Sequence, residues 1–523
     1  MTAELGPASM LPRLDWRFLD DPFLGEAVYL GAPEHPLLAA LEALGRTAAV
    51  NPTATLTASF DTALLTTPTP DAVRRAARLL RPGGRLYAEL PRSRRPWHRS
   101  EWRRVADSAG FEDIASYWHV PSFESCAHVV PLTDREALHM LARRHQGTTR
   151  GVLKAALLHA STSAGATPYL AGDVSLVARR GPLLGSTPSA YGRTRLLVTP
   201  RFRTSRHVVR LQDDSGAQPS RLVVKLPRIA TDTSGIAHEA AVLNELAERW
   251  PAGRGTFPEV RALQLHSGYP ALVETQVPGA VLTHRQAARQ PEQSLRVVRR
   301  WIEGLPVTGS TATDPGWFDR LVEQPLRELV AHSDPRLGLA TLARHTVRAA
   351  AVLKAAELPL VFEHGDVTCP NILVDGFDRV GLVDWELAEP RGLPGTDMLH
   401  FLAFASFAGA GVHDVPRQVL AFGDAFFGPR PWAADAARGH LRRRGVDDRL
   451  LEPLLVTAWG RYAAKIAPRL QRLAASVDSD GGDLVSYVAA RDRDVAIWRS
   501  LVDTVASCTL TTTSELEEHS WVT

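Results

Sequence analysis

The most constraining stretch of this 523-residue chain is His364-Gly365-Asp366-Val367-Thr368-Cys369-Pro370-Asn371, followed by Val383-Asp384-Trp385. An Asp stands five residues before an Asn, and a second Asp ends a short apolar run. The 13-residue step from Asn371 to Asp384 leaves room for one hairpin, Ile372 to Val383. Its arms are β-rich, and its turn is Asp375-Gly376-Phe377-Asp378. Such a hairpin brings the Asn and the second Asp to one end of a small sheet. Phosphoryl transfer from a nucleoside triphosphate calls for these groups. One carboxylate orients an acceptor hydroxyl and takes its proton. An amide oxygen and a second carboxylate hold magnesium. On this basis the chain reads as a kinase.

Length and composition bound the rest. The chain holds two or three domains at about 150 residues each. A hydrophobic content of 45% and a charged content of 22% are ordinary for a globular protein and supply enough apolar material for real cores. A formal charge of +3 is near balance and implies no nucleic-acid partner. Cys126, Cys369 and Cys508 lie far apart and make neither a disulfide framework nor a zinc site, so a reducing, cytoplasmic compartment is expected. No signal peptide is evident. No run approaches the roughly 18 apolar residues of a membrane span, so no membrane association is expected.

The first third alternates strand and helix, which predicts a parallel sheet with covering helices, an α/β doubly wound domain over 1–180. Strands are expected at Glu26–Gly31, Thr47–Val50 and Arg85–Leu90, and a closing hairpin from Asp113–Trp118 and Val174–Arg179. Residues 181–192, rich in Gly, Pro and Ser, are expected to be a linker. From Arg193 strands come first, at Arg195–Thr199, Arg206–Leu211 and Arg221–Leu226, then a helix from Ile236 to Trp250, then two more strands. Beyond Thr283 the pattern is mainly helical apart from the hairpin. A small β-rich lobe over 193–282 and a larger helical lobe over 283–523 make an α+β bilobal architecture.

Two resemblances follow from these residues. Residues of about 20–180 resemble the class I methyltransferase fold through Leu79-Leu80-Arg81-Pro82-Gly83-Gly84-Arg85-Leu86, with Phe60-Asp61 before it and Ala109-Gly110-Phe111 after it. The half that binds S-adenosylmethionine in that family departs from pattern. A single glycine stands in Tyr29-Leu30-Gly31-Ala32-Pro33, and Asn51 replaces the expected acidic residue. S-adenosylmethionine is therefore not expected to bind, and the domain is expected to serve docking, a protein partner or self-association. Residues of about 193–480 resemble the aminoglycoside phosphotransferase and choline kinase branch of the protein-kinase-like superfamily. His364-Gly365-Asp366 and Asp384-Trp385 carry that resemblance.

The second resemblance implies a site and its cofactors, ATP and Mg2+. Asp366 is the expected catalytic carboxylate, and Asn371 and Asp384 the metal ligands. His364 is expected to brace the loop, Trp385 to pack beneath the site, Cys369 to be a packed thiol, and Asp397 to hydrogen-bond catalytic-loop backbone. Lys225 is expected on the α- and β-phosphates, held by Glu239, with Glu245 and then Glu248 as the other candidate partners. Thr204 and Ser205 stand where a phosphate loop is expected, although an ordinary polar hairpin turn reads the same way. The backbone of Glu274, Thr275 and Gln276 is the expected adenine-binding hinge. Glu386 and Glu389 are expected near the acceptor.

The expected acceptor is a hydroxyl of a small molecule or peptide intermediate in specialised metabolism. Three Arg-rich segments, Arg285–Arg289, Arg296–Arg300 and His440–Arg444, lean against a polycationic acceptor. The competing readings are a catalytically inactive, partner-binding scaffold and a bifunctional methyltransferase–kinase.

Overall fold

The computed structural model describes residues 7–19, 21–53, 56–90, 98–144, 149–181, 194–198, 207–213, 221–266, 268–376, 378–467, 470 and 491–509. The expected phosphate-loop residues Thr204 and Ser205, and the expected linker beyond Gly181, lie outside them. The chain divides into two compact units. One comprises 1–244 with 258–276, and the other 245–257 with 277–523.

The first unit is built on a single sheet of twelve strands. In chain order these are β1 (Ala27–Leu30), β2 (Ala48–Val50), β3 (Phe60–Leu65), β4 (Leu80–Leu90), β5 (Phe111–Val120), β6 (His128–Pro131), β7 (Asp173–Arg180), β8 (Thr194–Val198), β9 (His207–Asp213), β10 (Arg221–Pro227), β11 (Val260–His266) and β12 (Tyr269–Thr275). Their spatial order is β11-β12-β10-β9-β8-β6-β5-β7-β4-β3-β1-β2. The strands β1 to β4 are parallel, as the alternation with helices predicts. The strand β7 returns antiparallel between β4 and β5 and closes the expected hairpin. The helix Pro70–Leu79 joins β3 to β4; Thr69 caps it, accepting from the Ala72 amide, and Val73, Ala76 and Ala77 turn inward.

The sequence boundary at 180–193 does not separate two sheets. His128 and Val129 of β6 pair antiparallel with Val198 and Leu197 of β8. Two short edge strands are thereby paired, and neither exposes its backbone ladder. One apolar cluster runs beneath the join: Leu14, Trp16, Tyr29 and Tyr87 share it with Leu197, Val208, Leu222 and Val273. The 3-10 stretch Pro7–Leu19 also carries a buried polar tie. Asp15 takes Arg228 through Nε at 3.0 Å and Nη2 at 2.7 Å, and Arg17 donates to the Arg228 carbonyl at 2.6 Å. All three side chains are buried, so removing either member of the ion pair would strand a charge in a low-dielectric interior.

In the second unit, β13 (Ala280–Val281), β16 (Ile372–Asp375) and β17 (Arg379–Leu382) form one small sheet, and β14 (Val307–Ser310), β15 (Pro359–Glu363) and β18 (Glu389–Gly392) another. Helices supply the remaining bulk. The helix Thr396–Ala410 is buried over most of its length, and Leu451–Ala464 likewise. Among the described residues no single helix is long and apolar enough to cross a membrane.

Candidate active site

The hairpin read from the spacing is present. Its arms β16 and β17 pair from Ile372 with Leu382 to Asp375 with Arg379. The Asp378 amide closes the turn on the Asp375 carbonyl at 3.3 Å, and Gly376 takes φ +60°. At the other end the Val383 amide donates to the Asn371 carbonyl at 3.0 Å. That bond fixes the backbone of Asn371 beside the residue preceding Asp384. Asp384 itself has φ +74°, a left-handed backbone that a non-glycine residue adopts at a cost.

The loop between β15 and the hairpin is held from behind. The Asp397 carboxylate accepts from the His364 amide at 2.8 Å and the Gly365 amide at 2.9 Å. Lys465 donates to the Gly365 carbonyl, and its ammonium lies 4.0 Å from the centre of the Tyr462 ring. Gly365 has φ +82°, and a Cβ there would sit 2.2 Å from the Leu387 carbonyl oxygen, so this position admits only glycine. The His364 ring is fully buried. Its Nδ1 accepts from the Asp366 amide and its Nε2 donates to the Val383 carbonyl, each at 3.2 Å, which ties the loop to the hairpin. Trp385 packs beneath, its ring centre 4.5 Å from that of His364 and about 6 Å from those of Phe362 and Trp301.

So fixed, the loop presents Asp366. Its carboxylate is a third exposed. One oxygen accepts from the Asn371 amide nitrogen at 2.9 Å, and the Asp366 carbonyl accepts from the same nitrogen at 3.1 Å. With its NH₂ committed to Asp366, the Asn371 carboxamide turns its oxygen away from the carboxylate. The Asp366 carboxyl is raised above its ordinary pKa by burial; Lys465 opposes this and Asp384 adds to it. Asp397 is raised by burial and by Glu363, against its two backbone donors. Cys369 is a packed thiol, pushed up to about 12 by burial.

In the first unit Lys225 is buried on β10. Its ammonium lies 2.5 Å from Glu239 and 3.5 Å from Glu274. The helix Ser234–Arg249 delivers Glu239, whereas Glu245 pairs with Arg249 on an exposed face at 2.7 Å. The Glu274 side chain joining the Lys225 pair is new relative to the sequence reading, which took only its backbone. β12 lies between β10 and β11, so a side chain from it meets Lys225 on one face of the sheet. The Thr275 amide donates to the Glu259 carbonyl at 3.0 Å and the Gln276 amide to the Arg221 carbonyl at 3.1 Å, so two of the three expected hinge amides are engaged within the unit.

Two other expectations are revised. Glu389 pairs with Arg320 at 2.8 Å and caps the Arg391 amide. Of the three Arg-rich segments, His440–Arg444 is engaged within the fold: Arg443 pairs with Glu303 at 2.6 Å, Arg444 donates to the carbonyls of Ile302 and Leu305, and Arg442 meets Asp448. The arginines of that segment give no ground against a cationic acceptor.

Sequence reasoning missed Lys465 and His400. Nothing local marks Lys465, a hundred residues beyond the loop. His400 stands three residues after Asp397 on the same helix and so on the same face, a spacing that could have found it.

Residues 201–435 match the sequence model of a family described as the phosphotransferase enzyme family. No curated protein matches the chain. Among solved structures, the apo form of a thermostable mutant of aminoglycoside phosphotransferase APH(4)-Ia aligns at 14% identity and a TM-score of 0.36, over 56% of this chain and 91% of that one. Aminoglycoside phosphotransferase APH(3'')-Id from Streptomyces rimosus, in complex with ADP and streptomycin, aligns at 18% and 0.32, over 47% and 90%. An ethanolamine kinase from Plasmodium vivax aligns at 12% and 0.34, over 57% and 82%. At these values the structural likenesses carry no argument of their own.

Proposed function

We propose that this chain, whose residues 201–435 match the phosphotransferase enzyme family, transfers the γ-phosphate of ATP to a hydroxyl of a small molecule or peptide intermediate. One observation carries the reading. Asn371 commits its amide nitrogen to Asp366, which turns its carboxamide oxygen away as a hard donor, and the hairpin brings Asp384 to the same end of the sheet.

Those donors fit magnesium, which prefers oxygen ligands and keeps several waters, so two protein groups suffice. Bound there, the ion would neutralise triphosphate charge. The chain's own groups do the rest. Asp366 accepts a hydrogen bond from the acceptor hydroxyl, aims its oxygen and takes its proton as the new bond forms, a contribution of about 10²–10⁴-fold. Asp397 and Lys465 keep the loop in register through Gly365. Lys225, backed by two carboxylates, is assigned to the non-transferred phosphates. Since the arginines of His440–Arg444 are engaged within the fold, that segment sets no bar to a cationic alcohol alongside neutral and anionic ones.

S-adenosylmethionine is not assigned to the N-terminal module. The Asn51 side chain occupies both backbone groups of Gly31, accepting from its amide at 3.2 Å and donating to its carbonyl at 2.8 Å. The space over Gly31 is filled by the Tyr29 hydroxyl and Thr66 Oγ1, which bond each other at 2.8 Å. That packing supports a Gly31 turn that is not used for a cofactor. The module's proposed role is structural, as an extension of the shared sheet.

The test is ATP consumption with magnesium against hydroxylated metabolites of each charge class. Acceptor-dependent ADP release that disappears in Asp366→Ala supports the proposal. Absence of any magnesium-dependent turnover or ADP binding across the panel would leave the scaffold reading in its place.

A further inference from the structure

We infer that His400 is a positioning residue for Asp366, its Nδ1–H donating to Asp366 Oδ1 when the carboxylate takes its working orientation. This rests on the phosphotransferase reading above.

His400 lies in the helix Thr396–Ala410 and is 3% exposed. Among the described residues neither ring nitrogen has a hydrogen-bond partner, and neither is open to solvent. A neutral imidazole always carries one donor and one acceptor, and a buried polar group left unpaired is disfavoured and uncommon. The ring is held in place. It stacks on Tyr462 at 4.0 Å with 19° between planes, and meets Phe404 edge-on at 5.2 Å. Tyr462 is itself fixed by its hydroxyl on the Thr396 carbonyl at 3.2 Å. The imidazole therefore cannot swing out to water.

The polar atom that faces Nδ1 is Asp366 Oδ1, at 3.8 Å. That is too long for a hydrogen bond. Catalytic hydrogen bonds are often long in the absence of substrate and tighten once it binds. Oδ2 is already held by Asn371 at 2.9 Å, so a small rotation of the carboxylate about that anchor brings Oδ1 to Nδ1. Both oxygens are then fixed from the protein side, and their remaining lone pairs face the acceptor hydroxyl. Burial, followed by Lys465, Arg493 and His364, holds the imidazole well below its ordinary pKa. It is therefore neutral and donates without taking the proton. During transfer the acceptor O–H proton passes to Asp366. The acceptor oxygen bonds the γ-phosphorus, and the β–γ bridging oxygen leaves with its electron pair on ADP. The imidazole gains and loses nothing.

The test uses the full chain with magnesium–ATP, reading basal hydrolysis, in which water takes the place of the acceptor. Three variants separate placement from packing. His400→Leu keeps bulk without a donor, His400→Asn restores an amide NH near the Nδ1 position, and His400→Gln places it near Nε2. His400→Leu should lower kcat by about 10- to 100-fold with little change in KM for ATP. His400→Asn should recover most of that loss, and His400→Gln should not. If His400→Leu does not fold, the Asn and Gln pair decides, with ADP–magnesium stabilisation as the folding control. Equal turnover in folded Asn and Gln variants, or wild-type turnover in the Leu variant, overturns the inference. A wild-type protein with no magnesium–ATP turnover overturns the phosphotransferase reading, and this inference with it.

Discussion

Two glycines, each following a strand, show how the same local device is put to opposite ends. Gly31 follows β1 and Gly365 follows β15. At Gly31 the turn is closed from the front: Asn51 takes both backbone groups, and the Tyr29 hydroxyl and Thr66 fill the space above. At Gly365 the turn is closed from behind: Asp397 holds its amide and Lys465 its carbonyl, while the Asp366 carboxylate stays a third exposed. A polar loop satisfied by its own front-side neighbours has nothing left for a ligand. A loop satisfied from its buried side leaves its outward groups available. Which side supplies the hydrogen bonds, more than the presence of the glycine, separates a filled crevice from a reactive one.

The largest effect expected from that contrast is at the exposed carboxylate. Asp366→Ala should reduce turnover by about 10²–10⁴-fold while the melting shift with ADP survives. Next comes the pair of glycine substitutions. Gly365→Ala forces a Cβ against the backbone oxygen of Leu387 and should lower turnover, by less than Asp366→Ala does, and lower the melting temperature. Gly31→Ala meets only side-chain ends, 2.6 Å from Thr66 Oγ1 and 2.7 Å from the Tyr29 hydroxyl, and should cost about 1–3 kcal/mol without altering kcat. Comparable losses of activity from the two would break the comparison.

A smaller effect concerns pH. His119, buried on β5 with its Nε2 2.8 Å from Ser175 Oγ, is lowered to about 3 by burial, with Arg13 adding to the shift. Below pH about 6.5 the unfolded chain binds a proton that the folded one refuses, so this contribution to stability falls as pH falls, by roughly 1.4 kcal/mol per pH unit until the folded value is reached. Urea midpoints between pH 7 and pH 4 should show that slope, and His119→Gln should flatten it. Smallest is Asn51→Ala, which removes two exposed hydrogen bonds that water can replace and should cost about 0.5–1.5 kcal/mol with unchanged turnover, read by denaturant titration.

Much of the second unit's centre was legible because its signals are local. The step from Asn371 to Asp384 admits one hairpin, and a hairpin of that length fixes its own register. Asp397 lies one helix start after the loop, and it bonds the loop backbone as expected. The pairing of Lys225 with Glu239 follows from a strand and the helix after it. What stayed hidden depends on distant partners. Glu274 reaches Lys225 only because β12 lies beside β10. Lys465 reaches Gly365 through the packing of the helix Leu451–Ala464. The join of β6 to β8 rests on two residue pairs with no pattern of their own, so strands on either side of the stretch read as a boundary belong to one sheet. The segment His440–Arg444 misled for a related reason: composition cannot tell an arginine facing a ligand from one facing Glu303.

The most direct test of the central claim is the magnesium dependence of ADP-induced thermal stabilisation in wild type, Asp366→Ala and Asp384→Ala. The account predicts a magnesium-dependent shift in wild type, its retention in Asp366→Ala and its loss in Asp384→Ala. A shift indifferent to magnesium, or one diminished slightly and equally by both substitutions, would contradict the assignment of a metal–nucleotide site to this loop and hairpin.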